Sequence, residues 1–255
     1  MNSTLYLAWQ DRRQRASGKP ATRRWYVIGR LDAEGKDYVF RYTEGAKHAR
    51  QEAGFQPLDA FPDLQRCYRS EELFSVFRNR IPNARRKDYP ALMARLGLSE
   101  QVVDPFEILA VTGGTRQTDN LEVFPRIATQ PDGSFRCRFF LHGWRYVSEA
   151  AQQRLQQLRE GDTLRVALEL NNPASGLAIQ LQAPDSYLML GWAPRYLNQD
   201  LADAMLTAPA MLEARVAKIN LPPSPHNQRV LIEFRGSLSD SGEPMMGSEY
   251  QPLVA

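Results

Sequence analysis

The sequence predicts an α+β fold in two modules, and three observations predict it. Short runs rich in β-branched and aromatic residues alternate with a few segments of helical periodicity. Near the middle, in "VFPRIATQPDGSF", Pro125, Pro131, Asp132 and Gly133 interrupt that pattern as a linker does. A chain of 255 residues, 43% hydrophobic and 24% charged, has the composition of a soluble globular protein and suffices for one large domain or two of ordinary size. No stretch approaches the roughly 18 apolar residues of a membrane-spanning helix. The apolar run at the N-terminus, Leu5 to Trp9, is too short for a signal-peptide core, so the expected compartment is the cytoplasm.

The first module opens with strands over "LYLAWQ" and "RRWYVIGRLD", separated by a basic loop containing Gly and Pro, and a third strand follows a turn in "DAEGKDYVFRY". A small antiparallel sheet is the economical arrangement. In "SEELFSVFRNRI", Ser70 is the expected N-cap of a helix with Leu73, Phe74, Phe77 and Ile81 on one side, ended by Pro82. A second helix is expected over "DYPALMARLGL", stopping near Gly97. A third spans "DPFEILAVTGG", where Asp104 caps, Pro105 takes the first helical position and Gly113 and Gly114 break the chain.

After the linker, expected at 128–134, come strand "SFRCRFFLHGW", helix "SEAAQQRLQQL", a turn at "REGD" and strand "TLRVALEL". An Asn172-Pro173 turn leads into "LAIQLQ" and "YLMLGWAPRYL". Helix "NQDLADAML" and strands "EARVAKIN" and "QRVLIEFRG" complete this half. Many short strands with few helices describe a small, partly open β-barrel or an α+β sheet. The tail from Gly236, rich in Gly, Ser and Pro, is expected to be poorly ordered unless a partner holds it.

Few residues suggest catalysis. Cys67 and Cys137 have no zinc-ligand spacing and read as buried free thiols. His48, His142 and His226 are scattered, Glu71 and Glu72 are helix neighbours that do not face one another, and "TGGTRQTD" lacks the Lys-Ser or Lys-Thr of a phosphate cradle. The expectation is a protein without enzymatic activity, cofactor or metal. Net charge is only +3, yet positions 12 to 24 and "RNRIPNARRK" at 78–87 cluster basic residues. Such clusters either contact phosphate or an acidic partner, or stand as solvated loops. Phe74, Phe77, Arg78 and Arg80 are contact candidates there, with the phenylalanines better read as core.

In the second half "FFLHGWRYV", "REGDTLRVALELNNPASGLAIQL" and "YLMLGWAPRYL" together, from about Phe135 to Ala208 with further strands to Gly236, resemble the HIRAN domain. The resemblance implies an OB-like β-barrel over 135–236 and, in some members, binding of single-stranded DNA or its free 3′ end. It implies Trp144, Arg145, Tyr146, Asn172, Trp192, Arg195 and Tyr196 as the DNA-binding set, aromatic faces stacking on bases and arginines meeting phosphate. Trp and Tyr beside strands also serve as core residues. Where 3′-end-binding members follow Asn-Pro with Tyr and Asp, this chain has Ala174 and Ser175, and Trp192 replaces their histidine. Without a carboxylate to accept from a terminal hydroxyl, sequence-tolerant single-strand binding is the expectation, not end recognition.

The first half, from about Leu5 to Ile127, resembles the N-terminal subdomain of HipA-type toxin kinases through "LAWQD", "YVIGRLD", "YVFRY", "PLDAFPDL", "ELFSVFRNRIPNARR", "DPFEILAVTGG" and "LEVFPRI". The kinase core, with its catalytic loop, has no counterpart here. This implies an antitoxin-like regulator that docks on a separately encoded HipA-type Ser/Thr kinase, with a helix-turn-helix repressor as a further partner. The other reading is a single-stranded DNA sensor in genome maintenance or phage defence.

Overall fold

The computed structural model describes residues 3–12, 24–99, 104–116, 118–173, 175–238 and 243–254. Two antiparallel sheets with helices establish the α+β class, and the chain divides into two units. The first comprises 1–89, 101–126 and 245–255; the second comprises 90–100 and 127–244. Among the described residues no helix is long and apolar enough to cross a membrane.

The first unit contains β1 (Thr4–Gln10), β2 (Trp25–Glu34), β3 (Asp37–Tyr42), α1 (Glu44–Ala53), β4 (Tyr68–Ser70) and α2 (Ser75–Arg78). After α3 (Tyr89–Leu96) it resumes with α4 (Pro105–Thr112) and β5 (Leu121–Pro125). Its sheet runs β4-β3-β2-β1-β5. Leu5, Leu7, Ile28, Leu31, Phe40 and Tyr42 supply the sheet's side of the core, against which Phe61 and Phe77 pack. Phe40 stacks on Phe61 at 4.0 Å between ring centroids, and the Tyr42 hydroxyl donates to the Phe61 carbonyl at 2.8 Å while accepting from the Leu58 amide. A buried tyrosine is tolerated because both functions of its oxygen are matched.

Two local elements differ from the sequence reading. Ser70 caps no helix: it ends β4, which pairs with β3, and its hydroxyl closes a two-residue turn onto Glu72. Edge pairing and that turn win over the capping preference, so the expected long helix shrinks to α2 with Phe77 buried. Helix α1 has no counterpart in the sequence reading, because it buries glycine and alanine, at Gly45, Ala46, Ala49 and Ala53, and carries no large apolar stripe. In the basic stretch after α2, Arg80 is a buried structural residue. It donates to the Val76 and Gly114 carbonyls, both at 2.8 Å, and pairs with Asp119 at 2.6 Å. Arg78 and Arg86 pair with Glu72 and Asp88. Positions 13–23 of the other basic cluster lie outside the described residues, and Arg24 pairs with Glu52.

The second unit contains β6 (Ser134–Phe140), α5 (Glu149–Gln156), β7 (Thr163–Asn172), β8 (Gly176–Gln182), β9 (Met189–Trp192), α6 (Asn198–Thr207), β10 (Glu213–Ile219) and β11 (Val230–Ser237). The strand order is β6-β11-β10-β7-β8-β9. Alternation sends Phe135, Cys137, Phe139, Ala214, Val216, Ile232 and Phe234 to the buried face. Burial pushes the Cys137 thiol up to about 12, whereas Cys67 is only half-buried, against the expectation for it. The sheet is no closed barrel. Its edge strands meet through one antiparallel bridge, His142 to Trp192, so it curls back on itself without a full closing ladder.

Each unit also takes in chain from beyond the expected linker. Leu92, Met93 and Leu96 of α3 are buried, and in the second unit the Asn220 side chain donates to the Arg95 carbonyl at 3.0 Å. The C-terminal residues 245–254, expected to be poorly ordered, instead pack on the first unit. The Tyr250 ring meets Tyr6 edge-on at 5.0 Å, the Glu44 amide donates to the Gln251 carbonyl, and the Leu253 amide donates to the Tyr42 carbonyl. Met245 and Tyr250 are apolar anchors within a Gly/Ser/Pro-rich segment, and burying them offsets the cost of ordering it.

On the face of the second sheet opposite its core, Glu233 is clamped by three arginines: Arg136, Arg138 at 2.9 Å and Arg235 at 2.7 Å. Burial alone would raise its carboxyl, but the hydrogen bonds from Arg235, Arg138 and Arg136 outweigh that and hold it at about 2 against an ordinary 4.5. A depressed carboxylate contributes stability above its unfolded value and loses it as pH falls through the folded one. The predicted result is a stability loss between about pH 4.5 and pH 2 that is flattened in Glu233→Gln, read from urea midpoints across that range.

Candidate nucleic-acid interface

Six of the seven residues expected to meet DNA flank the seam where the edge strands of the second sheet meet. After β6, the His142 amide donates to the Trp192 carbonyl at 2.9 Å and the Trp192 amide donates back at 3.0 Å. Gly143 then takes φ +68, and a 3-10 turn carries Trp144, Arg145 and Tyr146. A Cβ at Gly143 would lie 2.4 Å from Cε3 of Trp192, so the indole packs directly on the glycine. Across the seam Gly191, at φ +155, allows the His142 carbonyl to approach to where a Cβ would stand 2.5 Å away. These two glycines are required by contact as well as by conformation.

Behind the seam, polar side chains fix the indole. Trp192 Nε1 donates to Glu169 Oε2 at 2.8 Å, and Gln180 Nε2 donates to the same oxygen at 3.0 Å. Glu169 is held below its ordinary value: burial would raise it, but hydrogen bonds from Trp192, Gln180 and Asn172 outweigh burial. Asn172 also accepts from the Ser175 amide at 3.2 Å and from its hydroxyl at 3.1 Å, which closes the β7–β8 turn. Asn172 therefore organises the hairpin and supports Glu169, and Ala174 lies outside the described residues. Glu169 and Gln180 are not among the expected site residues, although each is a polar residue inside an apolar strand run, "VALEL" and "AIQLQ".

The seven positions separate by what they leave exposed. Trp144 is committed, its Nε1 donating to the His226 carbonyl at 2.8 Å and its ring against the His226 imidazole at 5.7 Å. Tyr146 is 77% exposed, and the Arg145 guanidinium, also exposed, sits 5.9 Å from its ring centroid. Arg195 and Tyr196, on the 3-10 turn after Pro194, are half-buried and engaged. Chemically, Arg145 and Tyr146 offer a phosphate contact and a stacking face on one turn, whereas Trp192 and Asn172 hold that turn's surroundings in place. Among the described residues no group of three or more His, Cys, Asp or Glu is arranged to hold a metal ion.

Comparisons with known proteins add a distant likeness. No protein-family model matches the chain, and no curated protein matches it. A crystal structure of a protein from Lactobacillus plantarum, a structural-genomics target, is 22% identical over 41% of this chain and 97% of that one, with a TM-score of 0.31.

The seam predicts a pair of glycine substitutions with different outcomes. Gly143 and Gly176 share a left-handed backbone, φ +68 and +74, but a Cβ at Gly176 meets nothing within 4 Å. Gly176→Ala is expected to cost about 1 kcal/mol from backbone strain alone, and Gly143→Ala about 2 kcal/mol or more because Trp192 must also shift. Urea midpoints of the two variants measure the difference.

Proposed function

We propose that the chain is a non-enzymatic regulator of toxin–antitoxin type. Its first unit docks on or neutralises a separately encoded HipA-type Ser/Thr kinase, and its second, HIRAN-like unit engages single-stranded DNA through Arg145 and Tyr146, or helps assemble a repressor complex with a helix-turn-helix protein. The observation that carries the DNA half is the exposed Tyr146 ring beside the Arg145 guanidinium, backed by the Trp192 seam. A base stacked on one exposed tyrosine gains about 1 to 3 kcal/mol, and an adjacent arginine adds a phosphate contact without reading sequence.

The kinase half is supported by the segments from "LAWQD" to "DPFEILAVTGG", which fold together in the first unit, and by the lack of any catalytic-loop pattern that would make this chain a kinase itself. The second reading, a single-stranded DNA sensor, is favoured by the same Arg145–Tyr146 pair and needs no kinase.

Co-expression with the HipA-type kinase encoded nearest to this chain separates the two. The proposal predicts a co-purifying complex and rescue of growth from kinase toxicity. No complex and no rescue, with oligonucleotide binding retained, leaves only the sensor.

A further inference from the structure

The exposed face of the second sheet carries more arginine than its carboxylates match. Cross-strand register sets Arg136 on β6 opposite Arg235 on β11, and Arg235 opposite Glu213 on β10. One step along, Arg138 stands opposite Glu233, Glu233 opposite Arg215, and Arg215 opposite Thr163 on β7. Arg165, two residues further on β7, points to the same face. Five arginines against two glutamates leave this group of residues at +3.

Like charges directly opposite one another, as at Arg136 and Arg235, destabilise a sheet. Glu233 tethers both together with Arg138, but one carboxylate cannot neutralise three guanidiniums. Arg215 pairs with Glu213 at 2.6 Å, and Arg136, Arg215 and Arg235 each remain about half exposed beside their carboxylates. Arginines held in place this way by carboxylates on one side can meet phosphate oxygens on the other.

At the end of the row stands an aromatic ring in an uncommon setting. Tyr187, in the β8–β9 turn, has φ +54, a left-handed backbone in a residue other than glycine, and its ring is exposed. The Arg165 guanidinium lies 4.5 Å from the ring centroid while donating to the Pro184 carbonyl at 2.9 Å. That backbone costs stability and holds the ring out to solvent. An acidic peptide would use the arginines but has no need of a flat aromatic face, whereas every nucleobase has one to stack.

We propose that this face, from Arg136 and Arg235 across Arg215 to Arg165 and Tyr187, binds the phosphate backbone of single-stranded nucleic acid, with Tyr187 stacking on a base. It uses none of the residues flanking the His142–Trp192 seam and goes beyond the Arg145–Tyr146 site. The test is fluorescence anisotropy of the full chain with a labelled oligothymidylate of about twenty nucleotides, titrated across salt concentrations.

Arg136→Gln/Arg235→Gln and Arg165→Gln/Arg215→Gln are each expected to weaken binding tenfold or more. Each is also expected to reduce the slope of log affinity on log salt by about 0.7 for every phosphate no longer neutralised. Tyr187→Ala should weaken binding about fivefold or more with the slope unchanged. Because Arg136 and Arg235 clamp Glu233, the Arg165/Arg215 pair decides the matter if the first variant melts early. Wild-type affinity in that second pair, or displacement of the oligonucleotide by oligoglutamate as readily as by unlabelled oligothymidylate, overturns the proposal. Arg145→Ala/Tyr146→Ala run alongside separates the two surfaces: no effect there with loss here removes the seam as a DNA site and leaves this face standing.

Discussion

Two backbone hydrogen bonds between His142 and Trp192 decide what the second unit can present. They join the free edges of β6 and β9, strands that are otherwise the most distant in the sheet order. Without them the turn carrying Trp144, Arg145 and Tyr146 has no fixed relation to the turn carrying Arg195 and Tyr196. One bridge is a small structure to bear that role, so the surrounding residues reinforce it. Gly143 and Gly191 permit the close approach, and Glu169 anchors the indole from behind with Gln180 and Asn172 attached to it. The arrangement trades two polar strand residues for a fixed tryptophan, at little net cost because each polar atom involved finds a partner.

Strand positions are legible in the sequence because alternation and β-branched content speak directly about which faces are buried. Runs such as "YVFRY", "FRCRFF" and "VLIEF" fold as read. Asp104 and Pro105 mark the start of α4, with the Asp104 side chain accepting from the Phe106 amide. What escapes is governed by partners distant in sequence. Helix α1 packs through glycine and alanines, whose burial depends on how closely a strand approaches. The C-terminal segment looks like a tail by composition, yet Tyr250 and Met245 find apolar surface in the first unit. Arg80 looks like one more surface cation in a basic run, and only the fold reveals its buried carbonyl and carboxylate acceptors.

The same limit applies to the candidate interface. Trp144, Trp192 and Asn172 stand out as aromatic and turn residues, but residue type does not say whether a group faces a ligand or its own scaffold. Hydrogen bonding separates them: Trp144 is spent on His226, Trp192 on Glu169 and Asn172 on Ser175 and Glu169. The Arg145–Tyr146 turn keeps its exposed surface, and so do the arginines of the outer sheet face, which period-2 alternation places together. These arginines are spread over four strands and never stand side by side, so no run of sequence such as "NARRK" announces them.

The His142–Trp192 bridge is a fixed part of the second unit and not a frayed edge contact. Native-state hydrogen exchange at those two amides tests it most directly. Both are expected to exchange as slowly as amides in the middle of β10 and β11, through opening of the whole unit. Exchange of both amides at the rate of an exposed strand end, while β10 and β11 stay protected, would contradict it.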